Sequence, residues 1–437
     1  MIFTTFTNYK IWILYGVLLL ENSLIQNVFS QEINNYDENE NESLYINNDD
    51  DDIFINTNIE NNFNEVVYDY EDVIIEIDEN DNESNLVFES KKTPIKFWED
   101  EEKEELYDQI KQNVTQIEND NDDNISIAST DFKFYDQMNS NEKSLYDIIL
   151  KSSIKEVPKV SMKVLVKGVN DLEKYIEEIT ISAERIFTIL VYEHPELWWI
   201  GNYQIAIYDS NEVGNYTLNF IILPEGSLFY NYTGEQISEL NSEIINIKNE
   251  IMDNISNLKL TTSYSIIKYI HDYLIIMIEY LLDEERKHIR TLYGALIENQ
   301  CVCEGYAEAF QYLVLQYGIN CIIARSSTHE WNFVELNNKW YIVDVTYDDP
   351  IKNGKVYPTG SGSNIQTDYF LIGTGHVFKS KVKYTDDPDH VLIYSAYSNL
   401  EMVYYPSIEK KDYVPSKLEL EELDLIDFSN ITIGYYK

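Results

Sequence analysis

The stretch from Cys303 to Thr346 leaves the chain few folds to choose from. Cys303 to about Tyr317 has helical spacing, with Ala307, Phe310, Leu313 and Val314 on one apolar face and Gly318 placed to stop it. Residues 319–325 then read as a strand. Two further strand patterns flank Asn337-Asn338, a pair that tolerates the positive φ angles of a two-residue hairpin turn. Fifteen helical residues run about 22 Å, and seven strand residues about 23 Å. A chain that goes out along the helix and returns along the strand is back at the level of Cys303 just before His329. The turn pairs Leu336 with Lys339, which sets His329 opposite Thr346 and Trp331 opposite Asp344. These four side chains share one face. Asp344 stands diagonal to His329 at about 7–8 Å between backbones, within side-chain reach.

A thiol, an imidazole and a carboxylate brought together this way can form a nucleophile, its base and the group that orients the base. Cys303 falls at or near a helix N-terminus, where unpaired N–H groups and the helix dipole favour a thiolate and can hold an oxyanion. Each residue alone has an ordinary reading: Cys303 as a core thiol, His329 as a surface or capping residue, Asp344 as a turn acceptor. The shared geometry is what favours the chemical one. Trp331 and Trp340 are read as covers that exclude water. Asn332 and Asp348 are read as hydrogen-bonding supports of the hairpin and loop, and His271 as a packing or capping residue.

At these residues the chain resembles the transglutaminase-like superfamily of thiol enzymes. The resemblance is carried by Tyr293-Gly294-Ala295-Leu296, Val302-Cys303-Glu304-Gly305-Tyr306-Ala307, Gly318-Ile319, His329-Glu330-Trp331-Asn332 and Trp340-Tyr341-Ile342-Val343-Asp344-Val345-Thr346-Tyr347-Asp348-Asp349-Pro350. Ile270-His271-Asp272-Tyr273-Leu274 and His194-Pro195-Glu196-Leu197-Trp198-Trp199 add to it upstream. It is close over about 262–350 and looser over about 185–395. It implies an α+β fold with a papain-like core, in which the cysteine-bearing helix packs on an antiparallel β-sheet. It implies Cys303 as nucleophile, His329 as base and then acid, and Asp344 as orienter, acting on a protein or peptide amide through an acyl-enzyme. Members include crosslinkers, glycanases and peptidases, so the fold does not fix the substrate. A catalytically silent binding or assembly protein on the same fold is the alternative. Glu330 and Tyr347 depart from the family pattern, and Cys301 is an extra thiol near the site. Glu330 either raises the imidazole's pKa or, as strand alternation favours, points to the opposite face.

Outside this block the charge is segregated. Residues 31–130 hold 31 Asp and Glu against five Lys, more than half of the net charge of −45. So much like charge opposes compaction, and residues 31–135 are expected to be low-complexity and disordered or weakly structured, with a marginal strand or docking motif over 60–81 as the alternative there and a short helix over 97–117. Such a chain repels phosphate backbones, which argues against nucleic-acid partners. Residues 1–30 read as a signal peptide. The apolar run Ile11 to Leu20 falls well short of the roughly 20 residues a membrane span needs, and Val28-Phe29-Ser30 offers a cleavage site. No stable membrane span is expected after its removal. Sequons at Asn41, Asn82, Asn113, Asn124, Asn215, Asn231, Asn254 and Asn430 fit an exported glycoprotein.

Residues 136–261 are expected to form an N-terminal α+β subdomain, 262–400 the catalytic core, and 401–437 a tail with short strands such as Met402-Val403-Tyr404-Tyr405. No cofactor is expected. Cys-x-Cys at 301–303 lacks the second ligand pair of a zinc site, and no calcium loop is present. Cys301 and Cys321 flank the helix and stand about 20 Å apart by its rise. A disulfide needs Cα atoms near 5.5 Å, so all three thiols are expected to be free.

Overall fold

Two antiparallel sheets organise the chain in the computed structural model, which describes residues 67–76, 85–95, 132–154, 161–349 and 365–428. The first sheet and its helices come from β1 (Val67–Glu76), β2 (Leu86–Lys92), α1 (Ser140–Ile154), β3 (Ser161–Lys167), α2 (Leu172–Glu193), β4 (Tyr203–Asp209) and β5 (Tyr216–Ile222). Then follow α3 (Gly234–Leu258), α4 (Ser263–Met277), β6 (Glu279–Tyr280), α5 (Leu292–Leu296), β7 (Gln300–Cys301) and α6 (Cys303–Leu315). The second sheet adds β8 (Cys321–Arg325), β9 (Glu330–Leu336), β10 (Lys339–Val343), the short α7 (Val345–Asp348) and β11 (Phe370–Ile372), before α8 (Lys417–Leu423). The five-stranded sheet runs β1-β3-β5-β4-β2 and the four-stranded sheet β11-β10-β9-β8. Both belong to the unit Asn58–Lys437. The expected signal peptide 1–30 and helix 97–117 lie outside the described residues.

Helices form where local signals agree. Asp171 caps α2 by accepting from the Lys174 amide, and the buried Tyr175, Ile179, Ala183, Ile186 and Leu190 follow the helical period. His194 and Pro195 end it. Thr233 and Gln236 close a capping box on α3, and Lys259 takes left-handed backbone angles at its end. The turn between β9 and β10 has φ 56° at Asn337 and 60° at Asn338, as a two-residue hairpin requires.

The disorder expected across 31–135 does not hold for two of its segments. β1 pairs with β3 and β2 with β4, each at one edge of the five-stranded sheet. An edge strand needs only one paired side, and β2 keeps half of its side chains in solvent while Lys92 reaches Glu184 at 3.1 Å. At the other end, Met402 to Tyr405 is not a strand. The Met402 and Val403 amides both donate to the Tyr394 carbonyl, which leaves no ladder. Among the described residues of that tail the regular element is α8.

α8 also completes a helix cap elsewhere. Its Glu422 carboxylate accepts from the Thr261 and Thr262 amides at 3.0 and 2.9 Å and from the Ser265 hydroxyl at 2.5 Å, at the start of α4. Burial opposes the charge, but these hydrogen bonds bring the carboxyl down to about 2. Glu422→Ala is expected to lower stability by about 2 kcal/mol, the scale of hydrogen bonds to a charged group. A urea midpoint unchanged from wild type at pH 7 would refute this. The contribution is present above the ordinary carboxyl pKa of 4.5 and is lost as pH falls toward about 2.

α6 is the element that positions the site. It packs on β8 and β9 on one side and on α4 and α5 on the other. Gln311 ties it down, donating to the Tyr192 carbonyl of α2 at 2.7 Å and the Cys321 carbonyl of β8 at 3.1 Å. The helix ends at Leu315, and Gly318 takes φ 65° in the turn to β8. All three cysteines are free.

Candidate active site

Cys303 is the first residue of α6 and is buried, 3% exposed. Its thiol lies 3.9 Å from Glu304 Oε2. Both Arg290 contacts to the Glu304 oxygens are 3.0 Å. Glu330 sits 3.6 Å from Arg325, opposite it across the β8–β9 pair. Burial pushes the Cys303 thiol well above its ordinary pKa, and Glu304 and Glu330 push it further, while the Glu330 amide opposes. The thiolate expected from the helix N-terminus is therefore not the resting form. Desolvation and two neighbouring acids outweigh a dipole that falls off within one turn.

Glu330 is the first residue of β9 and is buried. Its carboxyl is raised to about 7 by burial, with Arg325 opposing and Glu304 adding to the shift. Cys301 has a packing role. A Cβ on Gly305 would come within 2.6 Å of the Cys301 Cβ and 2.8 Å of its sulfur. Only glycine lets the first turn of α6 approach β7 this closely.

His329 stands just before β9. Its amide donates to the Ser326 hydroxyl at 2.9 Å, and its carbonyl accepts from the Ser326 amide at 2.9 Å. Its Nε2 lies 2.6 Å from Asp344 Oδ2. Asp344 is fully buried and caps α7, with Oδ1 accepting from the Tyr347 amide at 3.0 Å. Burial alone would raise its pKa, but His329 and His390 hold the carboxyl well below the ordinary range. The hairpin register is Leu336 with Lys339 through Asn332 with Val343, and the ladder stops there. Trp331 with Asp344 and His329 with Thr346 are not ladder partners, because Asp344 turns the chain into α7 and Thr346 lies in that helix. The carboxylate reaches His329 from a cap rather than from a strand diagonal.

Among the described residues no hydrogen bond joins Cys303 to His329. Nε2 of His329 is taken by Asp344, which leaves Nδ1 as the nitrogen available to a thiol proton. The Trp331 ring lies nearly parallel to His329 at 5.8 Å and 13°. Asn332 points to the other face, where its amide donates to the Ala307 carbonyl at 3.1 Å and ties β9 to α6. Asp348 accepts from His271 Nε2 at 3.1 Å and from the Tyr369 amide at 2.9 Å. Trp340 does not cover His329. It meets Phe132 at 5.8 Å and bridges to Ile408, near the turn end of the hairpin.

Two residues at the site have no role assigned from the sequence. Tyr347 stacks on His329 at 4.6 Å and 29°, and its hydroxyl donates to Asp389 at 2.6 Å. His390 places Nε2 2.9 Å from the same Asp344 Oδ2, with Nδ1 3.1 Å from Asp387 Oδ2. The only local hint is its place after Asp386-Asp387-Pro388-Asp389, a turn-forming run.

His329, Asp344 and His390 have ligand atoms within 4.8 Å of one another, the makings of a metal set. Their spacing fits hydrogen bonds better. Ligands at about 2.0–2.1 Å from one tetrahedral ion stand about 3.3 Å apart, whereas both imidazoles here approach the oxygen to 2.6 and 2.9 Å.

No family model matches the chain, and no curated protein matches it. Among solved structures, a crystal structure of a TGase aligns over 41% of this chain and 54% of its own, at 14% identity and a TM-score of 0.25. A structure of menin that reveals its binding site for the Mixed Lineage Leukemia protein aligns over 31% of each chain, at 19% identity and a TM-score of 0.21. Neither likeness carries an argument about this protein. What stands is an α+β chain of helices and antiparallel sheets. Among its described residues no helix is long and apolar enough to cross a membrane.

Proposed function

We propose that this protein is a thiol enzyme acting on protein or peptide amides through Cys303, His329 and Asp344, on a papain-like, transglutaminase-like core. The carrying observation is the fully buried Asp344 carboxylate 2.6 Å from His329 Nε2, beside a helix that begins at Cys303. Asp344 accepts from Nε2–H and so fixes the tautomer whose Nδ1 carries the lone pair. His329 Nδ1 takes the Cys303 proton as the sulfur bonds to the amide carbon and the carbonyl π pair moves to oxygen. Collapse of that adduct breaks the C–N bond, and His329 returns the proton to the leaving amine. Water or a second amine then attacks the thioester, with His329 again accepting the proton, and Cys303 leaves as the thiol. The resemblance noted in the sequence supports this order of roles.

The raised pKa of Cys303 and the absence of a described bond to His329 favour one rival, a silent binding protein on the same fold. Labelling with an iodoacetamide probe at neutral pH separates the two. Wild type is expected to label and Cys303→Ala to lose the label. Equal labelling of both, or none in wild type, would sink the enzyme reading. Pairing a Gln-peptide with an amine would then tell transfer from hydrolysis. Export through a cleaved signal peptide belongs to the same proposal, and N-terminal sequencing of the secreted chain tests it.

A further inference from the structure

We infer that His390 is a positioning residue of this site: an imidazolium held between Asp344 and Asp387 that balances the Asp344 carboxylate, so that His329 keeps the proton-accepting form. The inference rests on the thiol-enzyme reading above. The geometry sets the charge. His390 Nε2 hydrogen-bonds Asp344 Oδ2 at 2.9 Å, and Nδ1 forms an ion pair with Asp387 Oδ2 at 3.1 Å without the geometry of a hydrogen bond. Two carboxylates this close to the ring nitrogens favour the cation. Against the burial that opposes it, the two carboxylates raise His390 to about 9.

The other titratable groups facing His390 are His329 and three phenols. The rings of Tyr347, Tyr369 and Tyr384 lie 5.1, 5.3 and 5.1 Å away, and the ring of His329 5.3 Å away. Burial raises all three phenols, so they stay neutral near pH 7. The Tyr369 hydroxyl donates to Asp387 Oδ2 at 3.1 Å, which keeps that oxygen fixed for His390.

The consequence for His329 follows from sharing one oxygen. A buried carboxylate favours the charged form of an imidazole beside it, the more so when nothing else balances its charge. With the His390 charge on the same Oδ2, Asp344 still orients His329 but attracts a proton to it less. The molecule contains its own comparison. His271 is held between Asp272 at 2.8 Å and Asp348 at 3.1 Å, at the other end of α7, and touches none of Cys303, His329 or Asp344. His271 shares the clamp without the shared oxygen.

The test is the rate of Cys303 alkylation by iodoacetamide against pH, in the full chain, for wild type, His390→Gln and His271→Gln. Glutamine keeps a donor and removes the charge. In His390→Gln the acid limb of the profile is expected to move up by roughly one to two pH units, whereas in His271→Gln it stays in place. An unmoved or lowered limb in folded His390→Gln overturns the inference while leaving the enzyme reading intact. Should the variant not fold, ¹⁵N NMR of wild type at pH 7.5 decides. Two protonated nitrogens on His390 are expected, and a neutral ring overturns the assignment. A wild type unlabelled at every pH instead overturns the enzyme reading, while the ring spectrum still judges the His390 charge.

Discussion

Asp344→Ala is expected to cost about 3–5 kcal/mol of folding stability, the scale for breaking a buried ion pair from one side. The carboxylate is fully buried and serves three donors, His329 Nε2, His390 Nε2 and the Tyr347 amide. Alanine removes both acceptor oxygens and leaves all three donors without this partner. His390 is left with Asp387 alone for a buried positive charge, and α7 loses a cap that by itself is worth about 1 kcal/mol. Asp344→Asn keeps the volume and can still accept from the Tyr347 amide, so it should cost less than alanine. Urea titrations at pH 7 with matching slopes for the three proteins check the order. A loss under about 1 kcal/mol for alanine would mean that the two imidazoles do not depend on this carboxylate. The same variant should abolish Cys303 labelling near neutral pH, because the tautomer of His329 is then unset.

The sequence was most legible where local signals carry the structure. Asn337-Asn338, Gly318 and the spacing of apolar residues in α6 are short-range devices, and they place helix, strand and hairpin close to where they are found. They also bring His329 and Asp344 together, although by a route the parity argument did not contain. Alternation carries a strand forward until something competes, and at Asp344 the side chain's preference for capping the next helix ends the ladder. What stayed hidden depends on partners far away in the chain. β1 and β2 owe their strand form to β3 and β4, so local charge density misreads them. His390 reaches Asp344 across 46 residues, and no period or motif reports such a contact. The thiol of Cys303 is governed by burial and by Glu330 from another strand, which a helix-end argument does not see.

Stability is expected to fall as pH rises from about 6.5 to about 9, with a contribution from His390 on the order of 3 kcal/mol. The unfolded imidazole titrates near 6.5 and the folded one near 9. Below 6.5 both states hold the proton, and the clamp contributes in full. Between the two values the unfolded chain has released a proton that the folded chain still binds, so each pH unit removes about 1.4 kcal/mol. Above about 9 the folded ring also loses its proton, and the contribution is gone. His271 works in the same direction. Burial opposes its charge, but Asp272 and Asp348 raise it as well. The acid side has the opposite sign. Asp344 and Asp387 are both held below the ordinary carboxyl value of 3.8, so what they add is present above that value and disappears as pH falls beneath it. For the His390 clamp these signs place the maximum between about pH 4 and pH 6.5. Urea midpoints measured from pH 6 to 10 should decline in wild type and decline less in His390→Gln, whose side chain has no proton to lose. A flat wild-type profile across that window would mean that the ring between Asp344 and Asp387 is neutral, and that neither carboxylate is balanced as its distances imply.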